Sequence, residues 1–164
     1  MLSTMKVPSS NPTDNPRATA LSNRYKELAE SSKFMVARED SFEWSESKLP
    51  DVQTIPFAQR ISLASDPAHG GKVSNSSVEE GAVGLLAETS GLVHGFEREG
   101  TGKSEFVDRT GQMWDVKSPI SPMPSQKWVF NAEHQLDLVR KEIEGGENVL
   151  LNLSRCNEQD SGSV

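Results

Sequence analysis

The chain has 164 residues, enough for one small domain with its flanking segments and too few for two full-sized domains. A formal net charge of -7, from 24 acidic and 17 basic residues, excludes indiscriminate adhesion to a polyanion, which needs clustered Lys and Arg. The lone cysteine, Cys156, excludes an internal disulfide framework and fits a reducing site of action, and no apolar run approaches the roughly 18 residues a membrane span needs.

The opening MLSTMKVPSS lacks the apolar core of a secretory leader, so export would depend on something outside this chain. Residues 1–65 read as a flexible or irregular lead-in and linker. SSNPTDNPRATA offers little to bury, ALSNRYKELAESSKFM holds a short helix with Leu21, Tyr25 and Leu28 at helical spacing, and SFEW onward has prolines and no sustained period. A mean hydropathy of -0.55 agrees with a chain that is not packed throughout.

Residues 66–155 read as the folded core. In SSVEEGAVGLLAETSG, Ser77 stands three residues before Glu80 at capping-box spacing, Val83, Leu86 and Ala87 form an apolar stripe, and Gly91 is a stop signal. LVHGFERE suits a strand. EFVD and QMWDVK, separated by Arg109, Thr110 and Gly111, predict a β-hairpin. After a proline-rich loop, Ala132, Leu136, Val139 and Ile143 mark a second helix that ends at a Gly pair, and NVLLNL predicts a last buried strand. Residues 156–164 read as a polar tail. The predicted order of helix, antiparallel strands, helix, strand implies an α/β core with a mixed sheet.

One constellation carries chemistry. Asp115 and Lys117 are two apart on a predicted strand and project from one face. A carboxylate there suits a hard divalent cation, and the ammonium beside it suits orientation of a water or stabilisation of transition-state charge. Asp108, on the preceding arm, offers a second oxygen ligand, and Glu79, Glu80 or Glu88 on the upstream helix a third. Arg98, Lys103, Arg109 and Lys127 are the candidate phosphate contacts. His69, in the turn DPAHGGK, could approach a phosphate, and Trp114 and Trp128 could stack on a base, although core packing is the plainer role for both tryptophans. Cys156 has no paired histidine nearby and reads as inert.

HGGKVSNSSVEEGAVGLLAE, REGTGKSEFVDRTGQMWDVKSP and EIEGGENVLLNLS together resemble the C-terminal nuclease domain of bacterial polymorphic toxins, including contact-dependent growth-inhibition effectors and hemagglutinin or Rhs-repeat proteins. The resemblance covers about Asp66 to Ser154. It implies a PD-(D/E)xK, restriction-endonuclease-like core and a metal-dependent endonuclease that cleaves RNA, most plausibly tRNA. It places the helix glutamate at Glu80, with Glu79 as the alternative register, the first strand aspartate at Asp108 and the D-x-K pair at Asp115 and Lys117. Glu80, Asp108 and Asp115 would then hold Mg²⁺, or Mn²⁺ or Zn²⁺ in its place. The same resemblance implies delivery within a larger secreted toxin, action in the target-cell cytoplasm and a cognate immunity protein as partner. Such domains usually continue past the last strand with a helix and another strand, where this sequence has CNEQDSGSV.

Two rival readings stay open. The same site cuts DNA, so a DNA endonuclease of this fold is one. The other is an acidic, non-catalytic, immunity-like binding protein, for which the negative charge is recognition surface and Lys117 is dispensable.

Overall fold

The computed structural model describes residues 15–31, 34–38, 41–44, 49–122, 125–127 and 129–164, without the side chains of Ser31, of 41–44 and of Glu158. In chain order these form α1 (Pro16–Ser31), β1 (Phe34–Arg38), β2 (Ser41–Trp44), short 3-10 turns between Val52 and His69, α2 (Asn75–Thr89), β3 (Glu97–Arg98), β4 (Phe106–Val107), β5 (Met113–Lys117), α3 (Ala132–Glu144), β6 (Asn148–Asn152) and α4 (Glu158–Ser163). The strands make one six-stranded sheet in the order β2-β1-β6-β5-β4-β3. Every neighbouring pair is antiparallel except β5 with β6, which are joined by α3 and run parallel. The sheet is therefore mixed, as the predicted order of elements requires.

The pleat divides the strand residues between two cores. Phe34, Val36, Phe106, Trp114, Val116 and Leu150 pack under α1, α2 and the 3-10 turns, while Met35, Ala37, Val149 and Leu151 pack with Val139 of α3 and with Leu153 and Cys156. NVLLN is buried on both faces because β6 is an interior strand, and this explains its unbroken apolar run. Fully burying each large apolar side chain contributes about 1.5–3 kcal/mol.

The described residues between 16 and 64 pack into this domain, where a flexible or irregular lead-in over 1–65 was expected. Ala18, Leu21, Tyr25 and Leu28 of α1 are buried, and the Tyr25 hydroxyl lies 2.7 Å from Thr89 Oγ1 at the end of α2. FMVAR is an interior strand between β2 and β6. The 156–164 segment is likewise folded. Cys156 is buried with its Sγ 3.3 Å from the Pro119 carbonyl, Asn157 caps α4 by accepting from Asp160 N at 2.8 Å, and Ser121 binds both Asp160 and Asn157 N. These contacts tie the chain's last turn to the segment following β5. Among the described residues no helix is long and apolar enough to cross a membrane.

α2 begins one turn before the predicted cap. Ser74 is the N-cap and Ser77 is its N3 partner: Ser77 N donates to Ser74 Oγ at 3.1 Å and Ser74 N to Ser77 Oγ at 2.7 Å. The predicted box mistook the third member for the first, since Ser at N3 does the work usually done by Glu or Gln. Two glycines then let α2 sit close to its neighbours. A Cβ on Gly84 would meet the Phe106 ring at 2.8 Å, and one on Gly81 would meet the Leu63 carbonyl at 2.7 Å and Ala64 Cα at 2.8 Å. Helix propensity alone favours Gly81→Ala by about 1 kcal/mol. The contact is with backbone, which cannot rotate away, so the expected result is a net loss of about 1–3 kcal/mol in urea unfolding. A stabilised variant would show that the turn at Leu63–Ala64 yields easily.

Candidate active site

The hairpin register assigns the carboxylates. Phe106 pairs with Trp114 and Val107 with Met113. Continued by one residue in each direction, this register sets Asp108 opposite Gln112 and Glu105 opposite Asp115. Asp108 and Asp115 thus project from opposite faces, and Glu105 shares the face of Asp115 and Lys117.

Asp108 is a turn residue. Its Oδ1 accepts from Thr110 N at 2.9 Å, Thr110 Oγ1 at 2.6 Å and Gln112 N at 3.1 Å, and its Oδ2 accepts from the Trp114 indole Nε1 at 3.0 Å. Burial pushes its pKa up, but these donors outweigh burial and hold the carboxyl below its ordinary value. The assignment of Asp108 as catalytic and metal-ligating residue is corrected accordingly: its lone pairs are consumed in closing the hairpin, away from Asp115.

Glu105 takes the place expected for Asp108. It lies within hydrogen-bonding reach of the carboxyls of both Asp115 and Glu80, and its pKa is pushed up to about 9, first by burial and then by the charges of Asp115 and Glu80. Asp115 is buried, and Lys117 Nζ is 2.8 Å from Asp115 Oδ2 and 3.3 Å from Glu142 Oε1 of α3. Burial pulls the Lys117 ammonium down, but Asp115 and Glu142 raise it by more, so the lysine is held as a cation. Glu147 extends the cluster. It binds Ser104 Oγ, and its pKa rises to about 7 through burial and through the neighbouring Glu142. Three elements of the predicted core, α2, the β4–β5 hairpin and α3, thus converge on one group of side chains.

Local structure explains why Glu105 stands there. The loop from β3 to β4 wraps around the buried Glu99 carboxylate, which accepts from Thr101 N and Lys103 N at 3.0 Å each and from Thr101 Oγ1 at 2.7 Å. Glu99 N in turn donates to the Glu105 carbonyl at 3.1 Å. The turn therefore delivers Ser104 and Glu105 in fixed register beside Asp115.

The alternative helix residue, Glu79, belongs to another network. Arg24 donates to both its oxygens, Asn152 Nδ2 donates to Oε1 at 2.7 Å and Arg155 Nε donates to Oε1 at 3.1 Å. Burial raises its pKa, and the two guanidiniums bring it below the ordinary value. Glu80 alone turns to the cluster, with Arg98 NH2 3.3 Å from its Oε1. Glu88 is held by Arg60 at 2.8 Å, away from Asp115.

Of the four predicted phosphate contacts, Arg98 is excluded by burial. Its side chain is 7% exposed, it donates to the carbonyls of Leu63 at 2.8 Å and Ser77 at 3.1 Å, and its guanidinium lies 4.8 Å from the centroid of the Phe106 ring. It steers Glu80 instead. Lys103 is exposed in the loop before Glu105, Arg109 is exposed at the hairpin tip against Gly95, and Lys127 is exposed between β5 and α3. With Arg98 buried, the four do not act together as phosphate contacts. Trp114 is 2% exposed and belongs to the core, stacked edge-on with Phe96, while Trp128 lies outside the described residues. His69 lines a cleft of about 230 Å³ together with Asp66, Arg98, Ser104 and Glu105, and its Nδ1 is 2.7 Å from Asp66 Oδ2.

A divalent cation has to be tested against this donor set. Among the described residues no three acidic, histidine or cysteine side chains are gathered tightly enough to hold a metal ion as they stand. The chemistry nevertheless fits: Glu80, Glu105 and Asp115 present hard oxygen donors, and the proton held by Glu105 is the response of a buried carboxyl beside the charges of Asp115 and Glu80. A pH titration checks the crowding. Between about 4.5, the ordinary glutamate value, and about 9, the folded protein keeps a proton on Glu105 that the unfolded chain has released. Stability from this group is full below that window and is lost as pH rises through it. With chelator present, the melting temperature should fall across this range more steeply in the wild type than in Glu105→Gln, and millimolar Mg²⁺ or Mn²⁺ should restore it. Equal pH slopes in the two proteins would show that the carboxyls do not interact.

Comparison of the chain with protein-family models, with curated proteins and with solved structures returns no match.

Proposed function

We propose that the protein is a metal-dependent endonuclease of the PD-(D/E)xK type that hydrolyses RNA phosphodiesters, with tRNA as the substrate class the sequence resemblance favours. The observation that carries the reading is the meeting of Glu80, Glu105 and Asp115 with the Lys117 ammonium, 2.8 Å from Asp115. An α-β-β-β-α-β run, α2 through β6, brings them together, which is the order such a core calls for. In this reading Glu105 takes the role that the resemblance assigned to Asp108.

A cation held by Glu80, Glu105 and Asp115 would polarise a phosphoryl oxygen and lower the pKa of a bound water. Lys117, kept charged by Asp115 and Glu142, would hold the attacking water by hydrogen bond or meet the charge that develops on the phosphoryl oxygens. Arg98 keeps the Glu80 carboxylate directed at the cluster. Glu147, whose pKa is pushed up to about 7 by burial and by Glu142, would be a candidate to take or give a proton near neutrality. As a toxin module the chain would be carried by a larger secreted protein and neutralised by an immunity protein.

The deciding experiment incubates the purified protein with total tRNA and with plasmid DNA, each with Mg²⁺ and with chelator, beside Lys117→Met. Metal-dependent cutting of tRNA, lost in a folded Lys117→Met, supports the reading, and cutting of plasmid alone makes DNA the substrate. The -7 charge, together with the burial of Arg98, favours a second reading, an acidic binding protein. It is the better account if neither polymer is cut and Lys117→Met behaves as wild type.

A further inference from the structure

The nuclease reading leaves open where a substrate strand finds positive charge, because the cluster is acidic and Arg98 is buried. A groove of about 390 Å³ answers this. It is lined by Asn75, Ser76, Glu79 and Glu80 at the start of α2, by Val116, Ser118 and Ile120 along and after β5, and by Arg155 after β6. β5 and β6 are the parallel pair of the sheet, so the groove lies off their carboxyl ends, where open α/β sheets leave a crevice for ligands. It reaches the acidic cluster through Glu80, which lines the one and belongs to the other.

Its wall carries both signs, Glu79 and Glu80 against Arg155. Glu79 is already matched by Arg24, which contacts both carboxylate oxygens. Arg155 is a second guanidinium on the same carboxylate, held through Nε at 3.1 Å, and its side chain is 46% exposed. Arg24 is paired with Glu27 as well, so what the groove offers an anion is the Arg155 guanidinium itself, which is bound through Nε and lines the groove. Fixing Nε fixes the plane of the guanidinium, so little side-chain freedom is lost when its other nitrogens meet a ligand. The Ser76 and Ser118 hydroxyls add polar partners. Val116 and Ile120, the latter 53% exposed, supply an apolar surface of the kind that meets a sugar or base.

We infer that this groove is a nucleotide subsite, in which Arg155 takes a phosphate neighbouring the scissile one and Ile120 packs against the attached nucleoside of a single-stranded segment. The inference rests on the nuclease reading and adds to it the strand's position: one side of the cut lies between α2 and the β5–β6 ends. It also replaces Arg98 with Arg155 as the arginine that meets the backbone.

Binding and cleavage are to be measured separately. Fluorescence anisotropy of a short labelled single-stranded RNA, and of the same sequence as DNA, is read with Ca²⁺ and with chelator on wild type, Arg155→Gln and Ile120→Asp. Cutting of total tRNA in Mg²⁺ is read in parallel. Each substitution should weaken binding about tenfold, and Arg155→Gln should lower the salt slope by about 0.7 for the lost phosphate contact. Ile120→Asp alters an exposed side chain and decides alone if Arg155→Gln fails to fold. Wild-type affinity and salt slope in both variants, or no binding by the wild type in either medium, overturns the subsite. Binding that depends on Arg155 and Ile120 without any cutting by the wild type leaves the groove standing and removes the nuclease reading. Cutting with binding indifferent to both residues does the reverse.

Discussion

Glu105→Gln is expected to reduce phosphodiester cleavage by on the order of a hundredfold to a thousandfold, the usual cost of removing one preorganised charge-stabilising group from an active site. The variant should stay folded and gain stability at neutral pH without metal, because the amide removes the crowding that pushes Glu105 up to about 9. Asp108→Asn is the control, and its effects should fall on the other observable. An Asn side chain can still accept from Thr110 N and Gln112 N through its oxygen, but its NH₂ then faces the Trp114 indole N–H, now 3.0 Å from Oδ2. A donor facing a donor costs about 1–3 kcal/mol. Asp108→Asn should therefore lose stability and keep its cleavage rate within a few-fold. The outcome that sinks the assignment is the reverse pattern, with activity lost in a folded Asp108→Asn and retained in Glu105→Gln.

The largest effect on stability is expected at Glu79. Its carboxylate, 6% exposed, is the common acceptor for Arg24, Arg155 and Asn152, and it joins α1, α2 and the end of β6. Glu79→Ala would leave the Arg24 guanidinium partly buried with only exposed Glu27 and Ser154 Oγ near it. Breaking such a pair from one side costs about 3–5 kcal/mol, measured as the loss in urea unfolding free energy. The pH dependence has the opposite sign to that of Glu105. Glu79 has a depressed pKa, so its contribution is present above its unfolded value and is lost as pH falls through the folded one. A loss below about 1 kcal/mol would mean that the network is solvated, as surface pairs are.

Much of the core was legible from local pattern. The spacing of Leu21, Tyr25 and Leu28 and of Ala132, Leu136, Val139 and Ile143, the Gly pair after α3 and the Arg109–Gly111 turn are each written in a few adjacent residues, and each element formed where they lie. The pair Asp115 and Lys117 was legible for the same reason, since alternation along one strand needs no partner. Even Glu105 was within reach. A turn closed by Asp108 and Gln112 pairs positions whose numbers share one sum, and Asp115 then faces Glu105.

Other features depended on residues far apart in sequence. FMVAR carries no alternation because both its faces are covered, and it becomes a strand only when β2 and β6 supply its hydrogen bonds. The 156–164 segment looked like a polar tail, yet its order comes from Cys156, Asn157 and Asp160 meeting Pro119 and Ser121. Charge was the hardest property to place. Arg98 and Arg155 are equivalent as letters, but carbonyls of Leu63 and Ser77 consume the first, while the second shares Glu79 with Arg24 and stays at the surface. Composition sets how many ionic groups a chain carries; which of them face a ligand depends on desolvation and on long-range partners, and those arise only when the chain closes on itself.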